Sequence, residues 1–135
     1  MKRHFTSIIL AAALSAFAGG LGAQYLSEIA KVPFAFHAQG RMLQPGNVTV
    51  KELDGRGAYK LTDSTGSSTF WSTGIKKNAD PAKPHLTFAC YGRDCVLAEV
   101  SMPGQNSASA ISAASIDREL SHKIGIASMI SVPLR

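Results

Sequence analysis

The sequence predicts a mainly β fold: a single antiparallel β-sandwich or small barrel with a short C-terminal α-helix, after an N-terminal signal peptide. Three observations lead to this prediction. Short runs with apolar residues at alternate positions recur along the chain, Gly, Pro, Asn or Asp closes each run, and one late segment has a helical period. Removing residues 1–23 from the 135-residue chain leaves residues 24–135, a length that suits one β-rich domain.

The strand-like runs begin with residues 32–38, VPFAFHA, whose alternation predicts one half-buried strand. A Pro-Gly turn at residues 45–46 precedes a second alternating run, residues 48–53. Further strand-like runs cover residues 57–61, 67–75 and 126–134, and residues 85–104, HLTFACYGRDCVLAEVSMPG, are predicted to hold two more strands. The intervening residues 76–84, KKNADPAKP, are polar and rich in breakers, so they predict an exposed loop.

A short amphipathic helix is predicted near the end of the chain. Ile116, Leu120 and Ile124 fall four residues apart, and Gly125 follows as a stop signal. The Ser-rich residues 106–115 before it suit either the beginning of the helix or a loop, so its first residue is not determined.

The first 23 residues have the plan of a secretory signal peptide. Lys2 and Arg3 precede an apolar stretch over residues 8–18, and small residues follow. Cleavage is expected after Ala23, with Gly20 as the alternative. The apolar stretch falls short of the roughly 20 residues that cross a bilayer, and no span is expected in the mature chain. The pattern therefore predicts a secreted or periplasmic protein.

Positive charge is spread along the mature chain. Loss of Lys2 and Arg3 with the signal peptide lowers the net charge from +5 to +3. Nucleic-acid-binding domains group their basic residues and often interleave aromatic ones, whereas here only Lys76 and Lys77 are adjacent. The sequence therefore predicts a solvated surface of mixed charge and no nucleic-acid partner.

The two cysteines of the chain, Cys90 and Cys95, are predicted to form a disulfide. Gly92 and Arg93 suit the centre of a type II′ hairpin turn, which places the cysteines opposite each other as a non-hydrogen-bonded pair. An oxidising compartment favours the bridge. A C-x-x-C redox centre is the weaker alternative because four residues separate the pair, and a zinc site is weaker still because it needs four ligands.

The sequence offers no recognisable catalytic motif. It lacks a Gly-x-Ser-x-Gly elbow, a His-Glu-x-x-His pair and a phosphate-binding Gly loop. His37, His85 and His122 have no matching partner in sequence, and Glu52 and Asp54 are expected to be solvated turn residues. We therefore predict no catalytic, cofactor-binding or metal-binding residues and no cofactor, and regard an enzyme as the less favoured alternative.

Three blocks resemble a group of small secreted bacterial β-rich proteins of unknown function. They are VPFAFHAQGRMLQPGNVTVKEL, LTFACYGRDCVLAEVSMPG and SIDREL, which match the pattern [VI]-P-F-x-F, L-x-P-G, F-x-x-Y-G and S-x-x-x-E-L. The resemblance spans most of the mature chain and implies secretion and a β-rich domain. Its motifs are turns and packing positions, so it implies no site residues, and the cysteine pair departs from its usual pattern.

The function predicted from sequence is a non-enzymatic binding or envelope-associated module. Its expected partner is an extracytoplasmic protein or a glycan, contacted through exposed loops at residues 76–84 and 103–112. The alternative is a small extracytoplasmic enzyme or enzyme inhibitor whose site is assembled only by the fold.

Overall fold

A computed structural model describes residues 26–54, 57–119 and 127–135. Its described residues are mainly β and form two sheets. The elements, in chain order, are β1 Ser27–Val32, β2 Phe36–Ala38, β3 Arg41–Leu43, β4 Gly46–Glu52, β5 Ala58–Thr62, β6 Ser68–Ser72, β7 Ile75–Asn78, β8 His85–Tyr91, β9 Asp94–Ser101, β10 Ser107–Ala110, α1 Ala113–Glu119 and β11 Ser128–Pro133.

The first sheet has the strand order β1-β4-β5-β6, and all of its neighbours are antiparallel. The second sheet has the order β11-β8-β9-β10-β7, and the β2–β3 hairpin adds to β9 through a parallel pairing of His37 with Val96. Over the described residues the two sheets stay open, so the barrel alternative is not realised.

The two sheets meet at one corner. Ala30 of β1 forms a bridge with Leu134, and the backbone groups of Ile29 and Arg135 exchange two hydrogen bonds, of 3.1 and 2.9 Å. The next pair along would be Lys31 with Pro133, but proline has no N–H to donate. The pairing stops there, and the two sheets diverge.

A shared core lies between the inner faces of the sheets. Trp71 and Tyr59 of the first sheet are fully buried, with ring centroids 6.2 Å apart. Phe88 of the second sheet meets Phe36 of β2 edge to face at 4.9 Å, and Phe34 at 5.0 Å. Side chains from both sheets belong to one buried cluster, so neither sheet buries its apolar face alone.

Helix α1 lies against the opposite face of the second sheet. Ile116 packs there against Ala89, Val96 and Ala98. The helix overlaps the first part of the segment predicted to be helical, whereas the positions of Leu120 and Ile124 lie outside the described residues. The predicted signal peptide, residues 1–23, lies outside them as well.

Three local predictions were wrong. Residues 32–38 do not form one strand, because β1 ends before Pro33 and β2 begins at Phe36. Residues 76–84 are not all loop, since β7 includes Lys76 to Asn78. Residues 103–112 contain a strand, β10, whose last three residues are buried, so neither segment is the continuous exposed loop that was expected.

The β8–β9 hairpin has the predicted turn and bridge. Gly92 has a φ of 62° whereas Arg93 has a negative φ, as a type II′ turn requires. Cys90 therefore lies opposite Cys95, and the two form a disulfide across Cα atoms 4.0 Å apart. Both cysteines belong to the buried core, which agrees with a structural role.

Candidate binding surface

The outward face of the first sheet presents basic and apolar side chains from all four of its strands. Strand pairing places Lys51 opposite Lys60, and Lys60 opposite Phe70, in one row across β4, β5 and β6. Ile29 and Lys31 project from β1 on the same face, because the alternate residues of β1 are buried. We call these five residues, Ile29, Lys31, Lys51, Lys60 and Phe70, the lysine face.

The strand positions that form the lysine face alternate with buried ones, and none of them holds an acidic residue. The outward positions of β1, β4, β5 and β6 include no Asp or Glu. The ion pair of Lys77 with Glu99, at 2.9 Å, lies on the other sheet. Directly opposed side chains on paired strands have Cβ atoms about 5 Å apart, and like charges there lower stability. The Lys51–Lys60 pair is therefore unfavourable for folding.

Two large apolar side chains are exposed on the lysine face. Phe70 is 66% exposed on the edge strand β6, and Ile29 is 46% exposed on β1 at the other side of the sheet. Thr49 of β4 lies opposite Thr62 of β5, and their hydroxyl groups lie on the same face between Ile29 and Phe70. The face thus combines cations, hydroxyl groups and an accessible aromatic ring.

Side chains from the β2–β3 hairpin hold the strand that presents Phe70. The Gln39 amide donates to the Ser72 carbonyl at 2.6 Å and accepts from the Ser72 N–H at 3.2 Å. Arg41 Nη1 donates to the Ser68 carbonyl at 2.8 Å. These contacts satisfy backbone groups on the free edge of β6, so Phe70 projects from a strand anchored on both sides.

A polar cluster beneath Gly57 is the arrangement that most resembles a catalytic site. Lys76 Nζ donates to Ser109 Oγ at 3.0 Å, a contact also found in serine–lysine nucleophiles. Ser109 is only 1% exposed, however, and Gly57, with a φ of 98°, packs so closely that an added Cβ would collide with both side chains. A substrate therefore has no access to the hydroxyl, and the cluster reads as a structural contact.

Tyr59 joins this cluster and titrates above its ordinary range. Burial raises the pKa of Tyr59, a hydrogen bond with Ser109 opposes the rise, and the carboxylates of Glu52 and Asp54 add to it. Glu52 is itself buried, within 3.4 Å of the Gln105 amide, whereas Asp54 is exposed. The expectation that both acids are solvated is thus wrong for Glu52, because alternation along β4 turns its side chain inward.

Neither of the described histidines forms a hydrogen bond with a carboxylate, although His37 and Glu119 line the same groove. His85 Nδ1 lies 2.7 Å from the Lys83 carbonyl oxygen, to which it donates, and His37 lines a groove beside α1. His122 lies outside the described residues. Among the residues that the structure covers, no three His, Cys, Asp or Glu side chains gather as a metal site would require.

Of the grooves on the surface of the described residues, two bear on the choice of a site, and only the second borders the lysine face. A groove of about 360 Å³ between the β2–β3 turn and α1 is lined by His37, Ser115, Arg118 and Glu119, among others. A larger groove, of about 590 Å³, opens at the corner where the sheets diverge. Its lining residues are Ile29, Lys31, Asn47, Val132, Pro133 and Arg135. The corner groove shares Ile29 and Lys31 with the lysine face and extends that surface.

Comparison with known proteins adds no family. No protein-family model, no curated protein and no solved structure matches this chain. The resemblance in sequence blocks noted above therefore stays a prediction. In the described ranges, no helix combines the length and apolar character that crossing a bilayer requires.

Reasoning from sequence missed the lysine face for a definite reason. Lys31, Lys51 and Lys60 are 20 and 9 residues apart along the chain, so they do not form a basic cluster in sequence. The pairing of β4 with β5 sets Lys51 opposite Lys60, and the pairing of β1 with β4 puts Lys31 on the same face, opposite Asn47. Outward positions were visible in the alternation of residues 48–53, but the register between strands was not.

Proposed function

We propose that this chain is a non-enzymatic extracytoplasmic binding module that holds acidic glycans on its lysine face. The observation that supports the proposal most directly is the opposition of Lys51 and Lys60 without an acidic neighbour. The Lys51–Lys60 pair weakens the fold and has no acidic partner within the described residues. An anionic ligand bound between the two ammonium groups would explain why the pair is there.

The rest of the face favours a glycan among anionic ligands. An exposed aromatic ring such as Phe70 offers an apolar surface for the C–H face of a sugar ring. The hydroxyl groups of Thr49 and Thr62 can exchange hydrogen bonds with sugar hydroxyls. The row from Lys51 to Phe70 spans three strands, about 10 Å at the usual strand spacing, and therefore suits an extended chain more than a point charge.

The proposed location agrees with this ligand. A signal peptide over residues 1–23 would deliver the chain to the periplasm or the medium, where the Cys90–Cys95 disulfide is stable. Acidic polysaccharides of the cell envelope or surroundings are accessible there. Membership of the small secreted bacterial group, to which the sequence blocks point, is part of the same proposal.

Binding of the purified protein to immobilised polyuronate, with neutral dextran as the reference polymer, tests the proposal. We expect binding to polyuronate that weakens as salt screens the charges, and little binding to dextran. Lys60→Gln should lower the affinity about fivefold, equivalent to about 1 kcal/mol. Lys83→Gln is the matched control, because it makes the same change in net charge in the loop before β8 and should leave affinity nearly unchanged.

Phe70→Ala separates the aromatic from the ionic contribution. It should weaken binding without changing the salt dependence, whereas Lys60→Gln should reduce both. Equal effects of Lys60→Gln and Lys83→Gln would mean that net charge alone attracts the polymer and would refute the proposed site. Stronger binding to duplex DNA or to anionic lipid vesicles than to polyuronate would refute the glycan as ligand.

The thermal stability of Lys60→Gln provides a second test, because the variant should bind more weakly and yet not melt at a lower temperature. Since Lys51 and Lys60 repel each other in the unbound protein, Lys60→Gln should leave the melting temperature unchanged or raise it by a few degrees, at low salt most of all. Weaker binding caused by a damaged fold would instead accompany a lower melting temperature. Thermal unfolding at two salt concentrations distinguishes these outcomes.

A further inference from the structure

The free edges of the two sheets differ in how they are protected. Edge strand β6 has backbone groups covered by Gln39 and Arg41, as described above. Edge strand β7 includes two adjacent lysines, Lys76 and Lys77, a composition that discourages pairing with another chain. Both devices are ways in which soluble β proteins avoid edge-to-edge association.

As far as the described residues show, edge strand β11 lacks these devices over most of its length. Its residues 128–132 are Ser-Met-Ile-Ser-Val, with no charged residue and no proline before Pro133. Met129 is 57% exposed and Ile130 is 38% exposed, and they project from opposite faces of the strand. An uncharged, apolar free edge is the kind that pairs with another strand.

The orientation of the backbone identifies which groups on β11 are available. The Leu134 N–H donates to the Pro84 carbonyl, in line with the ladder between β11 and β8. By alternation, Ile130 and Val132 also direct their backbone groups toward β8. Met129 and Ser131 therefore direct their N–H and C=O groups away from the sheet, at the free edge.

We propose that two copies of this chain associate by antiparallel pairing of β11 with its equivalent, around a twofold axis at Ile130. In this register Met129 of one copy lies opposite Ser131 of the other, and each pair exchanges two hydrogen bonds. Ile130 then lies opposite its own equivalent as a non-hydrogen-bonded pair. The second sheets of the two copies join into one continuous sheet.

A second copy fits this edge better than a charged partner does. The edge is neutral. Under twofold symmetry the outward N–H and C=O groups of Met129 in one copy meet those of Ser131 in the other, so two identical edges satisfy each other's hydrogen bonds. Each Ile130 side chain then contacts its equivalent, and each Met129 side chain contacts Ser131 of the other copy, which lowers the exposure of both. A five-residue edge buries less than the roughly 1,000 Å² of a stable interface, so the dimer should be weak and depend on concentration.

Sedimentation of the purified protein over a range of concentrations tests the association. We expect a reversible monomer–dimer equilibrium with dissociation in the micromolar range, typical of small interfaces. Ser131→Pro should abolish it, because proline removes an outward N–H and leaves the ladder with β8 intact. Its melting temperature at low concentration should stay close to that of the unchanged protein.

Cysteine cross-linking tests the register and does not depend on the proline variant. Ile130→Cys should form an intermolecular disulfide under mild oxidation, since directly opposite residues of a non-hydrogen-bonded pair lie about 4.5 Å apart at Cα. Met129→Cys is the matched control and should cross-link far less, because its opposite residue is Ser131. Two results would overturn the inference. One is a protein that stays monomeric at several hundred micromolar, a concentration on the order of the dissociation constants of weak specific contacts. The other is equal cross-linking of the two cysteine variants.

This inference is independent of the proposed glycan site. The β11 edge and the lysine face share no residue, so Ser131→Pro should not change the affinity of a single copy for polyuronate. Lys60→Gln should likewise leave the monomer–dimer equilibrium unchanged. Either proposal can therefore fail while the other stands.

Discussion

At the scale of single residues, Asp63 shows how one side chain organises the turn between β5 and β6. Its carboxylate accepts hydrogen bonds from the Thr65 hydroxyl at 2.6 Å, from the backbone N–H groups of Thr65 and Ser67, and from the Gln44 N–H. Asp63 is 5% exposed. Burial alone raises its pKa, but the bonds from Thr65, Gln44 and Ser67 outweigh burial and hold the pKa below the ordinary value.

Replacing Asp63 with Ala should destabilise the protein by about 2 to 3 kcal/mol, the range for hydrogen bonds to a charged group. The matched control is Asp80→Ala, because Asp80 accepts one bond, from the Ala82 N–H, in an exposed turn. The control should lose less than half as much. Chemical denaturation measures both variants, and an Asp63→Ala loss no larger than that of Asp80→Ala would contradict the assigned role.

The lowered pKa of Asp63 also predicts a pH dependence. A group whose folded pKa lies below its unfolded value contributes stability above the unfolded pKa, about 3.9 for Asp. That contribution disappears as the pH falls through the folded pKa. The stability difference between the original protein and Asp63→Ala should therefore be constant near neutral pH and shrink below about pH 4.

At the scale of elements, the strands that sequence predicted best are those with one buried face. Residues 48–53 alternate cleanly, and β4 buries Val48, Val50 and Glu52 as that alternation requires. The prediction failed where the chain bends or where small residues form a strand. Pro33 interrupts an alternation that continues on both sides of it, and β10, with the sequence Ser-Ala-Ser-Ala, has neither β-branched nor aromatic residues.

The failure at β10 has a physical cause in its neighbours. Its four residues pair with β7 on one side, and Ser109 and Ala110 pair with β9 on the other. Small side chains suit a strand that lies close beneath Gly57, where a larger side chain has no room. Tertiary packing therefore determines this strand, and local propensity does not reveal it.

The β8–β9 hairpin is the element for which a single bond can be tested. The Cys90–Cys95 disulfide closes a loop with a sequence separation of 5, and such a short loop stabilises by about 2 kcal/mol in the chain-entropy model. Replacing both cysteines with Val should lower the melting temperature by several degrees and leave the fold intact. Thermal unfolding with and without a reductant measures the effect.

Reduction of the unchanged protein is the natural control for that variant. Both treatments break the same bond, so the two melting temperatures should agree within a few degrees, and the native protein should show no reactive thiol. Rapid exchange of the pair with an added thiol, or loss of glycan binding without loss of stability in the double variant, would contradict the structural role and favour the redox alternative.

At the scale of the whole molecule, the register between strands determines both the lysine face and the joint between the two sheets. Outward and inward positions follow from alternation, so part of the lysine face was available from sequence. Which outward residues become neighbours depends on the pairing of strands that are distant along the chain, such as β1 with β4. The corner where β1 meets Arg135 likewise depends on a contact between residues 29 and 135.

This corner joint predicts different effects for two proline substitutions on β1. The backbone groups of Ile29 and Lys31 both point away from β4, because Glu52 N–H bonds to the Leu26 carbonyl and the ladder alternates from there. Ile29→Pro removes the bond to the Arg135 carbonyl, whereas the Lys31 N–H makes no such bond to the described residues of β11. We expect Ile29→Pro to be less stable than Lys31→Pro by about 1 kcal/mol, the worth of one hydrogen bond.

Alanine variants remove the side-chain contribution from that comparison. Subtracting the stability loss of Ile29→Ala from that of Ile29→Pro, and likewise for Lys31, leaves the backbone effect at each position. Urea denaturation of the four variants gives the difference. Because the joint is one of few backbone contacts between the sheets, Ile29→Pro should also speed hydrogen exchange at the Arg135 amide, which donates to the Ile29 carbonyl. Equal backbone effects at the two positions would mean that core packing alone holds the two sheets together.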